Sequence, residues 1–338
     1  MARVLVVSLN YKTAEMTLRS VRAALRAMDG MDAELVIVDN ASGDGSYQRI
    51  RQAVASEDWA QGAPIRVVQS GENGGFGAGN NVGIRATMAD GSAPDYVYLL
   101  NSDAFPAPDA IRRLHDHLET HPEAAFAGSY IHGEEGDAHV TAFRFPSIWS
   151  ELEGAMRFGP VSRLLKGKSV PIGVPEATQR VDWLAGASIM MRQDVLDRIG
   201  LFDEGFFLYF EETDLCLRAA RAGFETHYVR ESAVAHIGSV STGMKKWTRI
   251  PGFWLDSRWH YFSKNHGRAY AVLATLMHAL GGAFWRLRVL LQGKAPADPP
   301  HFLRDLLVHD IKALFRPPPG KRKAAPQAVR VAAELEAE

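Results

Sequence analysis

The residues able to do chemistry in this 338-residue chain stand where apolar runs give way to turn-forming sequence. Val38-Asp39-Asn40-Ala41-Ser42 ends one run, and a carboxylate there can accept hydrogen bonds from a base N–H or a ribose hydroxyl; an Asx turn or a helix cap is the plainer use of the same side chain. Leu100-Asn101-Ser102-Asp103 ends another and sets a carboxamide and a carboxylate two residues apart, on one side of an extended chain. Such oxygen ligands suit a hard divalent cation shared with substrate phosphates, and capping of a helix over Pro106 to Leu118 is the competing use. Between them, Asn73-Gly74-Gly75-Phe76-Gly77-Ala78-Gly79-Asn80-Asn81-Val82-Gly83 has glycines that allow close backbone approach ahead of a helix, where N–H groups suit a phosphate or a base edge.

Further on, Phe210-Glu211-Glu212-Thr213-Asp214 puts three acids at a helix start behind an aromatic run. The helix dipole and an i,i+4 pair with Arg218 account for Asp214. Two adjacent glutamates beside apolar residues ask for more, because such surroundings raise a carboxyl pKa towards that of a general base. His236 reads either as a hydrogen-bonded structural residue or as an imidazole ligand suited to manganese beside a carboxylate. Cys216, the single cysteine, reads as a core residue.

Positioning these residues requires an alternating α/β core. Val4 to Leu9, Glu34 to Val38, Ile65 to Gln69 and Tyr96 to Leu100 are short apolar runs typical of buried parallel strands, with helices expected over Thr13 to Met28 (Thr13 as cap), Ser46 to Ala55 and Asn80 to Met88. Right-handed crossovers then bring the carboxyl ends of the strands to one edge, where open α/β sheets bind ligands. Pro146 to Thr178 reads as a long, partly helical excursion, followed by the apolar Trp183 to Met191, a helix over Asp194 to Ile199 and a strand near Thr226 to Val229 that closes the core around His236 to Gly243. Tyr261 onward reads as helices. The uncharged run Ala269 to Trp285 is short for a membrane span, and the basic residues around it leave contact with an anionic membrane surface open. The tail from Pro317 reads as disordered.

Lys plus Arg (38) balances Asp plus Glu (39), so no global charge recommends a nucleic-acid partner. A lone cysteine excludes an intrachain disulfide and fits a reducing compartment; with no secretory pattern in Met1 to Leu9, the expected location is the cytoplasm. A dinucleotide-binding domain and a sugar nucleotidyltransferase both want glycines after the first strand, where Leu9-Asn10-Tyr11-Lys12-Thr13 has none. The nucleotidyltransferase, and a noncatalytic nucleotide-sugar-binding subunit, remain the alternatives. Oligomeric state is not legible.

Taken in order, Asp39-Asn40-Ala41-Ser42, the Asn73 to Gly83 segment, Asn101-Ser102-Asp103, Leu184-Ala185-Gly186-Ala187-Ser188, Gly200-Leu201-Phe202-Asp203-Glu204-Gly205-Phe206-Phe207 and Glu211-Glu212-Thr213-Asp214-Leu215 resemble family 2 of the glycosyltransferases, nearest its rhamnosyltransferase-like branch. The resemblance implies a GT-A fold, a Rossmann-like, mainly parallel sheet flanked by helices, over residues 1–243, with a helical extension over 244–316 and a tail over 317–338. It implies an inverting transfer from a nucleotide diphosphate sugar, dTDP-rhamnose being one candidate, to a glycan or lipid-linked acceptor in cell-surface polysaccharide synthesis, on the cytoplasmic side and with Mn2+ or Mg2+. In that scheme Asp39 holds base and ribose; Asn10, Asn73, Gly74, Gly77, Asn80 and Ser102 belong to the donor set; Asp103 and His236 hold the cation. The base comes from Glu211-Glu212, with Glu212 favoured although the family's usual pair is Glu-Asp, and Trp183, Gly186 and Asp214 lie on the acceptor side.

Overall fold

The computed structural model describes residues 2–238, 248–293 and 298–316. The expected boundary at 243/244 and the tail 317–338 lie outside the described residues.

The first half follows the expected alternation: β1 (Val4–Asn10), α1 (Ala14–Ala27), β2 (Ala33–Asp39), α2 (Ser46–Ser56), β3 (Ile65–Gln69), α3 (Phe76–Arg85), β4 (Tyr96–Asn101), β5 (Ala104–Pro106), α4 (Ala110–Thr120) and β6 (Ala124–His132). The excursion holds β7 (Ala142–Phe143), α5 (Ile148–Met156), α6 (Gly159–Leu164) and β8 (Gln179–Val181). Then come β9 (Trp183–Leu184), β10 (Ser188–Arg192), α7 (Gln193–Ile199), α8 (Glu211–Arg221), β11 (Glu225–His236), α9 (Gly252–His266), α10 (Arg268–Gln292) and α11 (Phe302–Leu314).

The strands form one sheet in the order β3-β2-β1-β4-β10-β6-β11-β5, with β8 on β11; β7 and β9 make a separate pair. β1 to β4 are mutually parallel, whereas β10 runs antiparallel to both β4 and β6. Val4 to Val7 are fully buried because helices cover both faces, which is why β1 reads as an unbroken apolar run instead of an alternating one.

Four local readings change. α3 begins at Phe76, inside the glycine segment, because its glycines are packing devices: a Cβ on Gly79 would lie 2.6 Å from Leu9, and one on Gly83 2.3 Å from Val7. The helix therefore rests directly on β1. β11 is twelve residues long, and the register shift between Val229 and Ala233 carries it past Arg230 and Glu231, where the apolar pattern breaks. Thr13 makes no side-chain cap; its hydroxyl lies 3.3 Å from both Asn10 Oδ1 and Ser102 Oγ. Nor does Asp103 cap α4, whose N-cap position is Asp109.

The extension docks through α9. Asp214 on α8 accepts from Lys264 Nζ at 2.7 Å and Asn265 Nδ2 at 2.9 Å, and His260 bonds Asp203 at 3.0 Å. Behind it, the fully buried Arg258 donates to Glu151 at 2.8 Å and Asp310 at 3.1 Å, joining α9 to α5 and α11. No helix among the described residues is long and apolar enough to cross a membrane.

Candidate active site

Strand register assembles the first part of the site. Asn10 pairs with Asp39, Asp39 with Gln69 and Leu9 with Asn101, so four strand ends lie side by side at one sheet edge. Asp39 Oδ1 accepts from Asn10 Nδ2 at 2.7 Å and Ser42 Oγ at 2.6 Å, and Oδ2 accepts from the Ser42 N–H at 3.2 Å. The Asx turn is therefore real, and Asp39 also lines a cavity of about 300 Å³ with Gly43, Gly45, Tyr47, Gln48 and Gln69. Asn10, expected in the donor set, is fully buried between Asp39 and the Thr17 hydroxyl (2.7 Å), where its amide fixes the Asp39 carboxylate.

The glycine segment is pinned from two sides. Asn40 Nδ2 donates to Asn73 Oδ1 and to Gly75 O, both at 3.1 Å, and Asn73 Oδ1 accepts the Gly75 N–H. Gly75 has φ +96°, and a Cβ there would lie 1.8 Å from Phe207 O, the atom that accepts from the Phe76 N–H at 3.0 Å. Gly74 donates to Glu72 O in the turn ahead. Gly77 packs on Phe202, and Asn80, expected with it in the donor set, is buried with its amide on Phe76 O.

Phe207 opens the turn that delivers the acids. Leu208 O accepts from Ser257 Oγ at 3.0 Å, and Tyr209 and Phe210 take φ of 71° and 70°, conformations that cost non-glycine residues about 1 kcal/mol each. α8 then begins with both glutamates in its first turn. Glu211 is 1% exposed and its Oε2 has no hydrogen-bond partner among the described residues; burial, then the neighbouring Glu212 charge, push its pKa well above the usual carboxylate range. Glu212 is partly exposed, and its Oε1 accepts the Gly186 N–H at 3.1 Å. Burial raises its pKa as well, opposed by that N–H and by its own.

Gly186 thus stands beside Glu212, with a Cβ position only 2.7 Å from Oε1 and 3.0 Å from the Phe76 ring. Trp183 stacks on Phe143 at 4.2 Å and donates to Arg144 O. Asp214 does not join the acceptor side: it is completely buried, and Arg218 (2.9 Å), Lys264 and Asn265 occupy its carboxylate.

Asp103 and His236 come together from distant sequence because β11 pairs with β5, placing His236 opposite Ala104. Asp103 Oδ1 lies 3.0 Å from His236 Nε2, and Asn101 Nδ2 lies 3.5 Å from the same nitrogen. The 3.0 Å contact is a direct hydrogen bond between the two side chains, and it brings one carboxylate oxygen and one imidazole nitrogen, both donor types that divalent cations accept, to the same point of the sheet edge. Ser102 is buried next to them, its Oγ near the Thr13 hydroxyl. A second group, Glu123, Glu225 and His227, gathers at the other end of β11. Along β6, from Ala127 opposite His227 to His132 opposite Ala235, the separation is about 17 Å at ~3.3 Å per residue, and His236 lies one residue further, too far to serve the same ion.

With this geometry in hand, the comparisons are specific. The model of "Glycosyl transferase family 2" matches residues 4–177, and that of "Glycosyl transferase family group 2" matches residues 96–294. The chain belongs to glycosyl transferase family 2. This family 2 chain is 28% identical over 240 residues to the N-acetylglucosaminyl-diphospho-decaprenol L-rhamnosyltransferase of Mycobacterium tuberculosis, covering 65% of this chain and 72% of that one. It is 28% identical over 158 residues to the rhamnosyltransferase WbbL of Escherichia coli, covering 46% of this chain and 58% of that one. Among solved structures, it superposes on the mannosyltransferase PcManGT of Pyrobaculum calidifontis, solved with GDP-Man and Mn2+, with a TM-score of 0.53 at 15% identity, covering 94% and 81% of the two chains. Residues 1–349 of Staphylococcus aureus TarS match with a TM-score of 0.50 at 12% identity, covering 93% and 81%. The fold is GT-A, and the protein is a rhamnosyltransferase-like glycosyltransferase.

Sequence reasoning missed several parts of this family 2 site. Tyr47 and Gln69 enter it only through the cavity they share with Asp39. Asn40 and Phe207 matter because they hold the glycine segment, which adjacency in sequence does not reveal. Ser42, quoted in the motif, carries its own signal: a hydroxyl three residues after an aspartate is well placed to complete an Asx turn.

Proposed function

We propose that this glycosyltransferase inverts the anomeric carbon, depends on a divalent cation, and moves L-rhamnose from dTDP-rhamnose to a glycan or lipid-linked acceptor in cell-surface polysaccharide synthesis at the cytoplasmic side of the membrane. One observation carries the mechanistic part. The peptide Gly186-Ala187 bridges both halves of the chemistry, its Gly186 N–H bonded to Glu212 and its Ala187 O accepting at 3.0 Å from the N–H of Asn101, two residues before Asp103. A base and a cation ligand are thereby joined through one short, buried connection.

In this reading the nucleoside sits in the cavity beside Asp39, whose carboxylate Asn10 and Ser42 hold in one orientation. Asn73 and Ser102 complete the donor side, and Trp183 with Gly186 forms the acceptor side. Glu212 accepts the proton of the acceptor hydroxyl as that oxygen bonds to the anomeric carbon from the face opposite the diphosphate, and the bond from carbon to diphosphate oxygen breaks with its electrons on the leaving group. Asp103 and His236 would hold the cation, which when bound supplies Lewis-acid stabilisation of the leaving diphosphate. Burial and the adjacent Glu212 charge raise the pKa of Glu211, which favours its neutral form beside the base.

Rhamnose is favoured by the names of the two relatives at 28% identity. The test is release of nucleoside diphosphate from dTDP-rhamnose and a panel of UDP- and GDP-sugars, with Mn2+ or EDTA, in the presence of a bacterial glycolipid extract. Metal-dependent release from dTDP-rhamnose that Glu212→Gln abolishes, with nucleotide affinity intact, is expected. Release unchanged by EDTA, or retained by Glu212→Gln within a few fold, refutes the cation or the base respectively.

A further inference from the structure

The C-terminal extension carries a surface that the proposed reaction does not use. On α10, Leu273, Leu276, Leu280, Leu287, Leu290 and Leu291 are all exposed, the last two by 80% and 75%. At about 100° per residue they fall within one arc of about 100°, opposite the buried face made by Ala271, Ala274, Thr275, Gly281 and Gly282. The stripe contains no polar side chain. Arg268 and Arg286 flank it on one side and Arg288 on the other, and α10 contains no aspartate or glutamate. α11, packed beside it, and the two residues that follow it add the exposed Ile311 and Phe315 next to Lys312 and Arg316.

We propose that the outer face of α10 seats on the surface of an anionic phospholipid bilayer, with the leucines in the acyl boundary and the arginines at the headgroups. An apolar stripe edged by long basic side chains suits that boundary, since arginine buries its stem along apolar surface while its guanidinium reaches phosphate. Charge argues against the alternative occupant, a second copy of this chain. A stripe-to-stripe pairing brings arginines of both copies together with no acid on either α10 to neutralise them, whereas lipid phosphate neutralises all of them. Nearby acids are already engaged: Asp298 by Arg157, Asp305 by Arg249 and Arg304, and Asp310 by Arg258.

The seating also has a consequence for the active site. α9 packs against α10 and is tied to α8 through Asp214, Lys264 and Asn265, with Arg221 donating to Asn265 at 3.0 Å and to its carbonyl at 2.7 Å. A bilayer-bound α10 therefore holds the helix bearing Glu212 at a fixed height above the lipid, where an acceptor on a lipid carrier emerges. Only this last use rests on the lipid-linked acceptor reading; the binding itself does not.

The test is flotation of the full chain with vesicles of phosphatidylcholine alone or mixed equally with phosphatidylglycerol. Binding is expected to the mixed vesicles, weakened several fold by 0.5 M salt. Leu276→Ser, Leu280→Ser and Leu290→Ser combined should lower that affinity about a hundredfold, without shifting the melting temperature or transfer to a soluble acceptor analogue, because all three side chains are already in water. Arg286→Glu should weaken binding to mixed vesicles alone. No binding to mixed vesicles overturns the proposal, as does equal binding to both vesicle types that the serine substitutions leave unchanged. So does a dimer in light scattering that these substitutions dissolve, since the stripe then faces another copy. Loss of transfer with dTDP-rhamnose would leave the vesicle result standing, which keeps the two readings separable.

Discussion

Gly186→Ala tests the placement of Glu212 with a single methyl group. The added Cβ would meet Glu212 Oε1 at 2.7 Å, against an ordinary contact of 3.4 Å, and the Phe76 ring at 3.0 Å. The backbone at Gly186 is not in the left-handed region, so alanine adopts it without strain. The atom in the way is the end of a flexible side chain, so the carboxylate must recede by about 0.7 Å and weaken its bond to the Gly186 N–H. Folding should lose about 1 kcal/mol for that bond, partly offset by the alanine's smaller unfolded-state entropy. A base misplaced by most of an ångström costs much more in rate, since a 1 Å error can cost about 100-fold, and kcat is expected to fall ~10- to 100-fold. The weakened N–H donor also raises the Glu212 pKa further, moving the acid limb of the pH profile upward. Nucleoside diphosphate release gives kcat, and titration calorimetry with the nucleotide should show unchanged affinity. A kcat within threefold of the parent refutes Glu212 as base. A fall in melting temperature beyond about 8 °C, more than a ~2 kcal/mol loss produces in a domain of this size, refutes the claim that the carboxylate recedes and the Phe76 ring gives by only a few tenths of an ångström.

Three further predictions follow from the burial and ion pairs described above. Glu211 has a raised folded-state pKa, so its contribution to stability is full below the unfolded value of about 4.5 and is lost as pH rises through the folded pKa; Glu211→Gln, which cannot ionise, should therefore melt higher than the parent at pH 8 and not at pH 4, and the reverse order in thermal scans counts against the burial argument. Asp103→Asn should lower nucleoside diphosphate affinity about tenfold or more in Mn2+ and leave it unchanged in EDTA, an equal loss in both conditions removing Asp103 from the cation. Asp214→Ala removes a fully buried carboxylate shared by Asn265 and by Arg218 and Lys264, cations that keep Leu201 O and Asp203 as acceptors, and should cost about 2 kcal/mol in denaturant unfolding, with a loss under 1 kcal/mol refuting its role as the tie between α8 and α9.

Much of the fold was legible because buried parallel strands announce themselves. β1 to β4 lie within a residue of their expected bounds, as continuous apolar runs ending in polar residues, and the parallel order puts Asp39 and Asn101 on the expected edge. The second half was less legible. Trp183 to Met191 looks like one apolar stretch yet divides into β9 and β10, which join different sheets, and β11 continues through charged residues that hide it.

By itself, the sequence determined the residue types available for chemistry, the alternation that gathers strand ends, and the acids that open α8, because each depends on neighbours within a few positions. Only the tertiary structure decided which of those residues meet. The pairing of β11 with β5 brings His236 to Asp103 across 133 positions. The Phe207 carbonyl, distant in sequence, leaves no room for a Cβ on Gly75. Glu211 and Glu212 are adjacent and chemically alike, yet successive helix positions point about 100° apart, so one is sealed in the core with an oxygen that has no partner among the described residues while the other turns to Gly186. That division of roles depends on what surrounds each side chain, and the surroundings come from parts of the chain that are distant in sequence.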